Sequence, residues 1–379
     1  MRLAVLVLTA VLAATTPLRA QWDLETPPTT ADLRGVSNTG GGAVWASGTN
    51  GTVVRSEDGG YLWQACAVPP GAEKLDFRGI QAFDENVAIV MSSGKGDLSR
   101  LYKTTDGCKS WKLVFTNPDK DGFWDAVQFS KSPRDKVDAC FGTVVGDPVD
   151  GHFPLFVTVD CGDSWERQIR ESPMALTAGE GLFAASNSSL FVHNSGEREF
   201  VTGGKAGSRE IGFWVGRDDT NQPDPLHVAS GAKELRFVSR GWHVSPLSTH
   251  SLSESSGAFS ISEGEKKRVA VGGDYAKPTL GLSWYQARRG LWTVSKTPPH
   301  GYRSAVAYDA DHKLWITVGP NGTDVSTDNG RNWRALKPLK DQAPDADQHW
   351  NALSLPFVVG PKGRIGKLNA NALAASPKP

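Results

Sequence analysis

Apolar and polar residues alternate along this chain in short stretches. LRGV at 33, FRGIQAFD at 77, FWDAVQFS at 123 and YRSAVAYD at 302 are the clearest. Each has the two-residue period of a strand that buries one face. A second apolar run, a Gly-rich loop and a third run follow. An octet then closes each unit: SEDGGYLW (56–63), TTDGCKSW (104–111), TVDCGDSW (158–165) and STDNGRNW (326–333). All four units therefore read strand, strand, loop, strand, hairpin, Trp.

The octet places a hydroxyl residue first, Asp third and Trp last, with Gly between: Asp58 and Trp63, Asp106 and Trp111, Asp160 and Trp165, Asp328 and Trp333. A carboxylate at that position can accept backbone N–H groups inside the turn, and Gly can take positive φ. The indole can then fill the space between neighbouring sheets. The octets are expected to be structural fastenings rather than catalytic sites.

Two degenerate copies occupy the gap after residue 170. One runs from GEGLFAAS (179) through FVTGGKAG (200) to FVSRGWHV (237), interrupted by RDDTNQPDP; the other runs from SGAFSISE (256) through VAVGGDYAKP to GLWTV. Both lack the octet Asp. A truncated seventh copy begins at HWNALSLPFVV (349) without a last strand, and QWDLETPP at 21 offers a strand without a partner. Joining the two ends completes a unit and hides the sheet edges of an open array. Repetition at about 40 to 50 residues with four strands per unit predicts an all-β, seven-bladed β-propeller over 21–369, closed by pairing of the N- and C-terminal strands.

Residues 1–20 combine Arg2, an apolar run and a small residue at Ala20, the layout of a secretory signal peptide. The mature chain is expected to be exported, periplasmic or secreted, without a membrane span, and 370–379 is expected to form a flexible tail. Lys plus Arg and Asp plus Glu number 41 each, so no global field draws the protein to nucleic acid. Cys66, Cys108, Cys140 and Cys161 permit one or two disulfides in an oxidising compartment and leave the pairing open. No zinc-site spacing, P-loop or dinucleotide fingerprint is present, and no cofactor or metal is expected.

In a four-stranded meander the loops joining strands two and three share a face with the starts of the inner strands. The predicted rim of the channel on that face holds Arg34, Arg78, Trp124, Asp125, Glu180, Ser256, Arg303 and Trp350. The loops add Lys95, Asp147, Asp150, His152, Lys205, Asp274 and Tyr275. Converging guanidinium groups suit a carboxylate or phosphate, and indoles and carboxylates suit a peptide or sugar. The leading expectation is a binding site for a protein or peptide partner. The alternative is a sialidase-like or other glycoside hydrolase that draws its acid and nucleophile from Asp125, Glu180, Asp274 and Tyr275.

The octets resemble the Asp-box, or BNR repeat, of sialidases and other propellers. Together with DFRGIQAFD, GDPVDG, GEGLFAAS, GGDY and GYRSAVAY, they make the whole mature chain similar to bacterial relatives of the photosystem II stability/assembly factor family. That resemblance implies an exported seven-bladed propeller that binds a membrane-protein precursor without catalysis. The chain has LRGV where sialidases carry an Arg-Ile-Pro segment before the first box, which weakens transfer of a sialic acid site.

Overall fold

The computed structural model describes residues 21–130, 140–168, 177–193, 196–215, 239–248, 253–265, 267–288, 291–336, 345–369 and 372–373. The expected signal peptide and the RDDTNQPDP insert lie outside them. Each alternating segment pairs antiparallel with the run that follows it, and that run with the next. The result is seven four-stranded meanders: 33–65, 77–116, 124–167, 190–248, 256–294, 305–336, and 352–368 completed by Trp22–Glu25. The chain is an all-β, seven-bladed β-propeller.

Closure comes from the two ends of the chain. Trp22–Glu25 forms the outermost strand of the seventh blade, pairing Trp22 with Leu368 and Glu25 with Ile365. The Trp22 indole, 2 % exposed, donates to Asp347 Oδ1 at 2.9 Å and to Thr323 Oγ1 at 3.1 Å. Asp347 also accepts the Trp350 indole at 3.2 Å and the Thr323 N–H at 2.9 Å. One buried carboxylate thus ties the N-terminal strand to the sixth and seventh blades. Leu373, expected in a free tail, is instead buried against Leu314, Ile316, Val325 and Leu336 because that apolar face of the sixth blade needs a cover.

The four octets fold alike. In each, the first hydroxyl donates to the Asp Oδ1 at 2.7–2.9 Å and accepts the fifth N–H at 2.9–3.0 Å. The Asp Oδ1 accepts the seventh N–H at 2.9–3.0 Å. The fourth and fifth residues both take positive φ, including Cys108 at 60° and Cys161 at 58°. Each Trp then reaches back to the preceding blade: Trp63 to Phe357, Trp111 to the Ala67 carbonyl, Trp165 to Phe115 and Trp333 to the cluster around Val269. Cys66 and Cys108 form a disulfide between the first blade and the second octet, while Cys140 and Cys161 remain thiols.

The fourth blade departs from the sequence reading. Its inner strand is Leu190–Val192, not GEGLFAAS. Glu180–Gly181 pairs instead with Gly203–Gly204, and Gly203 pairs with Gly257, extending the fifth sheet to six strands. Glycine permits this approach: a Cβ on Gly203 would lie 2.7 Å from the Gly257 Cα. The segment that follows enters the hub and bonds to four blades. Leu182 N–H donates to Asp147 at 2.9 Å, Ser186 Oγ to the Ser304 carbonyl at 2.6 Å and Ser188 Oγ to Ser260 at 2.7 Å. Asn187 Oδ1 accepts the Val127 N–H at 2.8 Å, and Ala184 O accepts Arg78 at 3.1 Å.

Hydrogen bonds hold the octet carboxyls below their ordinary range. Asp106 is held at about 2 by the Ser110 hydroxyl and N–H. Asp58 is lowered by the Leu62 N–H, while in Asp160 and Asp328 bonds from Ser164 and Asn332 outweigh opposing burial. A carboxyl lowered on folding contributes stability above its unfolded pKa and loses it as pH falls through the folded value. Urea unfolding should therefore lose stability between about pH 4 and about pH 2. Asp106→Asn, which keeps an acceptor oxygen but cannot titrate, should flatten that fall.

Candidate functional site

Register shifts at the start of the inner strands decide which side chains enter the hub. Leu33 pairs with Gly48 and Gly35 with Ser47, so Arg34 is an extra residue between them. The same bulge makes Arg78 extra in the second blade, Asp125 in the third and Phe259 in the fifth. A bulge re-aims the unpaired residue. Here all four line one cavity of about 410 Å³, together with Asp147, Leu182–Ala185, Tyr275, Tyr302 and Trp350. The opposite end of the hub holds a second cavity of about 660 Å³, bordered by Ser186, Asn187 and Ser188.

One wall of the first cavity is cationic. Arg78 Nε donates to Asp76 Oδ2 at 2.9 Å, and Arg34 Nε lies 3.7 Å from the other oxygen. Two half-buried guanidiniums thus share one carboxylate. Burial pushes the Asp125 carboxyl well above its usual range, and the neighbouring Asp147 adds to the effect. Asp147 is itself raised by burial, against the opposing Leu182 N–H. Guanidinium charge is permanent, whereas these two acids are biased towards the neutral form, so the wall favours an anionic group. The opposite wall is aromatic: Phe183 stacks on Phe259 with centroids 4.0 Å apart, and Phe259 meets Tyr302 edge-on at 4.7 Å. Tyr275, 55 % exposed, stands at its lip.

Of the rim residues read from the sequence, Arg34, Arg78, Asp125, Asp147, Tyr275 and Trp350 border this cavity. The Trp350 indole faces away, towards Asp347 and beneath the Arg364 guanidinium. Five others are engaged elsewhere. Trp124 is fully buried, stacked on Phe115 at 5.3 Å, because the bulge turns it into the blade as it turns Asp125 out. Glu180 is held by Arg209, with Nε at 2.8 Å, and by Thr202 Oγ1 at 2.7 Å. Asp274 accepts Ser253, Ser255 and the Ala276 N–H, which outweigh burial and lower its pKa to about 2. Asp150 lies at an exposed hairpin tip with φ 50°. Arg303 has no exposed surface and is bound to Asp324, Asn321 and His300.

The loop residues are likewise paired outside the cavity. Lys95 meets Asp121 at 2.8 Å, Lys205 meets Glu254 at 2.5 Å, and His152 bonds to the Asp150 carbonyl. Ser256 is buried against Ser253. Sequence reasoning missed Asp76 and the aromatic wall. Phe259 was legible in principle, since it occupies in SGAFSISE the bulge position that Arg34 occupies in LRGV. The cavity's acids stand beside guanidiniums, an arrangement suited to an anion rather than a metal ion.

No protein-family model matches this chain, and no curated protein matches its sequence. Its fold is shared with solved propellers. "YCF48 bound to D1 peptide" aligns with a TM-score of 0.59 and 16% identity over 92% of this chain and 95% of that one. "YCF48 from Cyanidioschyzon merolae" gives 0.59 and 16% over 93% and 100%. The WD40 propeller domain of Doa1 gives 0.55 and 10% over 94% and 100%. At these identities the likeness establishes the propeller architecture.

The ion pairs of Arg303 and Arg78 should respond differently to loss of one partner. Asp324→Asn removes the charge that offsets the buried Arg303 and should lose about 3–5 kcal/mol of stability in urea unfolding. Arg78→Ala, at a half-exposed wall, should unfold within about 1 kcal/mol of wild type.

Proposed function

We propose that the chain is an exported, non-catalytic propeller that binds a segment of a protein partner at the arginine-bordered mouth of its hub, aiding that partner's assembly or stability. One observation carries the reading: two guanidiniums share the single carboxylate of Asp76, opposite an exposed aromatic lip. Such a mouth can take a carboxylate on one wall and an apolar side chain on the other. The resemblance to the photosystem II stability/assembly factor family supports it, as does a likeness in fold to YCF48 bound to a D1 peptide. The glycosidase alternative has less support. It needs two carboxyls facing each other across a gap, yet Glu180 and Asp274 are saturated with hydrogen bonds and Asp125 is buried on the same side as Asp147.

The test uses fluorescent peptides of varied sequence bearing either a free C-terminal carboxylate or an amide. Fluorescence polarisation should select carboxylate peptides with apolar side chains near the end. The double variant Arg34→Ala/Arg78→Ala should weaken their binding by about 10- to 100-fold, as loss of charge-assisted hydrogen bonds requires. Equal affinity in wild type and variant would remove the mouth from partner binding.

Export has its own measurement. Protein recovered from the envelope or medium should begin at Gln21 by N-terminal sequencing, as cleavage after Ala20 requires. An intact Met1 in the cytoplasmic fraction would refute it.

A further inference from the structure

The fourth and fifth blades lack octets, and a buried charged cluster joins these same two blades. Glu199 pairs across the sheet with Gly212, and Gly212 pairs with His243; Glu210 stands two residues before Gly212 on the same face. Glycine leaves the space the imidazole occupies, since a Cβ on Gly212 would fall 1.8 Å from His243 Cε1. Glu199 and Glu210 are each 1 % exposed. One ligand atom from each of Glu199, Glu210 and His243 lies within 4.8 Å of the other two.

The fifth blade faces this cluster with Arg268, Glu263 and Trp292. Arg268 lies 2.5 Å from Glu199 and 3.1 Å from Glu263, and the Trp292 indole donates to Glu210 at 3.4 Å. His193 stands between Glu199, at 3.3 Å, and Glu263, at 3.7 Å. Among the described residues, three carboxylates therefore face one guanidinium and two imidazoles. Buried carboxylates must be paired, protonated or bound to a metal.

We propose that Glu199, Glu210 and His243 bind a divalent ion of the zinc class. Two carboxylates and an imidazole are ligands this class accepts, and three protein ligands leave a position for water. The ion would occupy the place of the proton between His243 Nε2 and Glu210 Oε1, now 2.8 Å apart. Arg268 would stay on Glu199 from the outer side, so that the metal site clamps the fourth blade to the fifth. No zinc motif marks the sequence because the ligands sit on three separate strands.

The test is zinc titration of the full-length protein after chelator dialysis, followed by calorimetry, with cobalt as a spectroscopic probe. Wild type should take up one zinc per chain and melt a few degrees higher with zinc bound. His243→Gln and Glu210→Gln should each weaken uptake by more than about 100-fold, beyond the loss of an outer-shell partner. His312→Gln, at an exposed imidazole paired with Asp309, should leave uptake unchanged. Absence of zinc uptake by wild type, or wild-type uptake by His243→Gln, would overturn the site and leave an ion-pair network balanced by protons. If the ligand variants do not fold, cobalt in wild type decides: intense four- or five-coordinate bands support the site, and a spectrum of hydrated cobalt alone refutes it.

Discussion

The architecture depends on ring closure between the two ends of the chain. Seven twisted sheets could equally stack as an open array, and an open array would leave an unpaired edge at each end. Pairing Trp22–Glu25 with Ile365–Leu368 gives each of these terminal strands a partner. Asp347 makes the closure specific, because its hydrogen bonds to Trp22, Thr323 and Trp350 form only when the N-terminal strand lies in that register. A one-residue slip would turn the Trp22 indole to the opposite face of the sheet. The convergence of Arg34, Arg78, Asp125 and Phe259 on one cavity, from four separate blades, follows from this closure.

Within the ring, successive blades are joined by different chemistry. Four joints use the octet, whose Asp and hydroxyl organise the turn while its Trp reaches the preceding sheet. The seam uses Trp22 and Asp347. Between the fourth and fifth blades, both without octets, the contact includes carboxylates, an arginine and imidazoles. Buried polar groups resist substitution by partial means, since removing one partner strands the others. This sector therefore adds charge complementarity to the packing of the Trp292 indole, whereas the octet joints rely on their Trp.

Much of the fold was legible because repetition exposes it. Four octets at matching places fixed the strand count per unit, and the unmatched strand at 21 indicated closure. The placement of Arg34 and Arg78 was legible too, since face and position follow from a meander. What escaped was partner choice. Glu180 and Asp274 were read on the correct face, but Arg209 and a serine trio capture them before any ligand could. Arg303 sits beside a rim position yet turns inward to Asp324. The alternation that marks Trp124 and Asp125 gives no sign of the bulge that sends one inward and the other to the hub. Nor does GEGLFAAS announce that it leaves the blade, because Gly203 and Gly257, which make room for it, are distant in sequence.

That displaced segment also constrains what the mouth can accept. Leu182–Ala185 lines the cavity at one end of the hub, and Ser186, Asn187 and Ser188 border the cavity at the other. Bonds from this segment to Arg78, Asp147, Val127, Ser260 and Ser304 anchor it across the second, third, fifth and sixth blades. A ligand chain could not thread from one cavity to the other without breaking several of them. Displacing these buried groups without replacing their partners would cost about 1–3 kcal/mol for each one left unsatisfied. The mouth is consequently shaped for a group that enters and stops: a chain end or a projecting side chain, with its charge against Arg34 and Arg78 and its apolar part against Phe183, Phe259 and Tyr275.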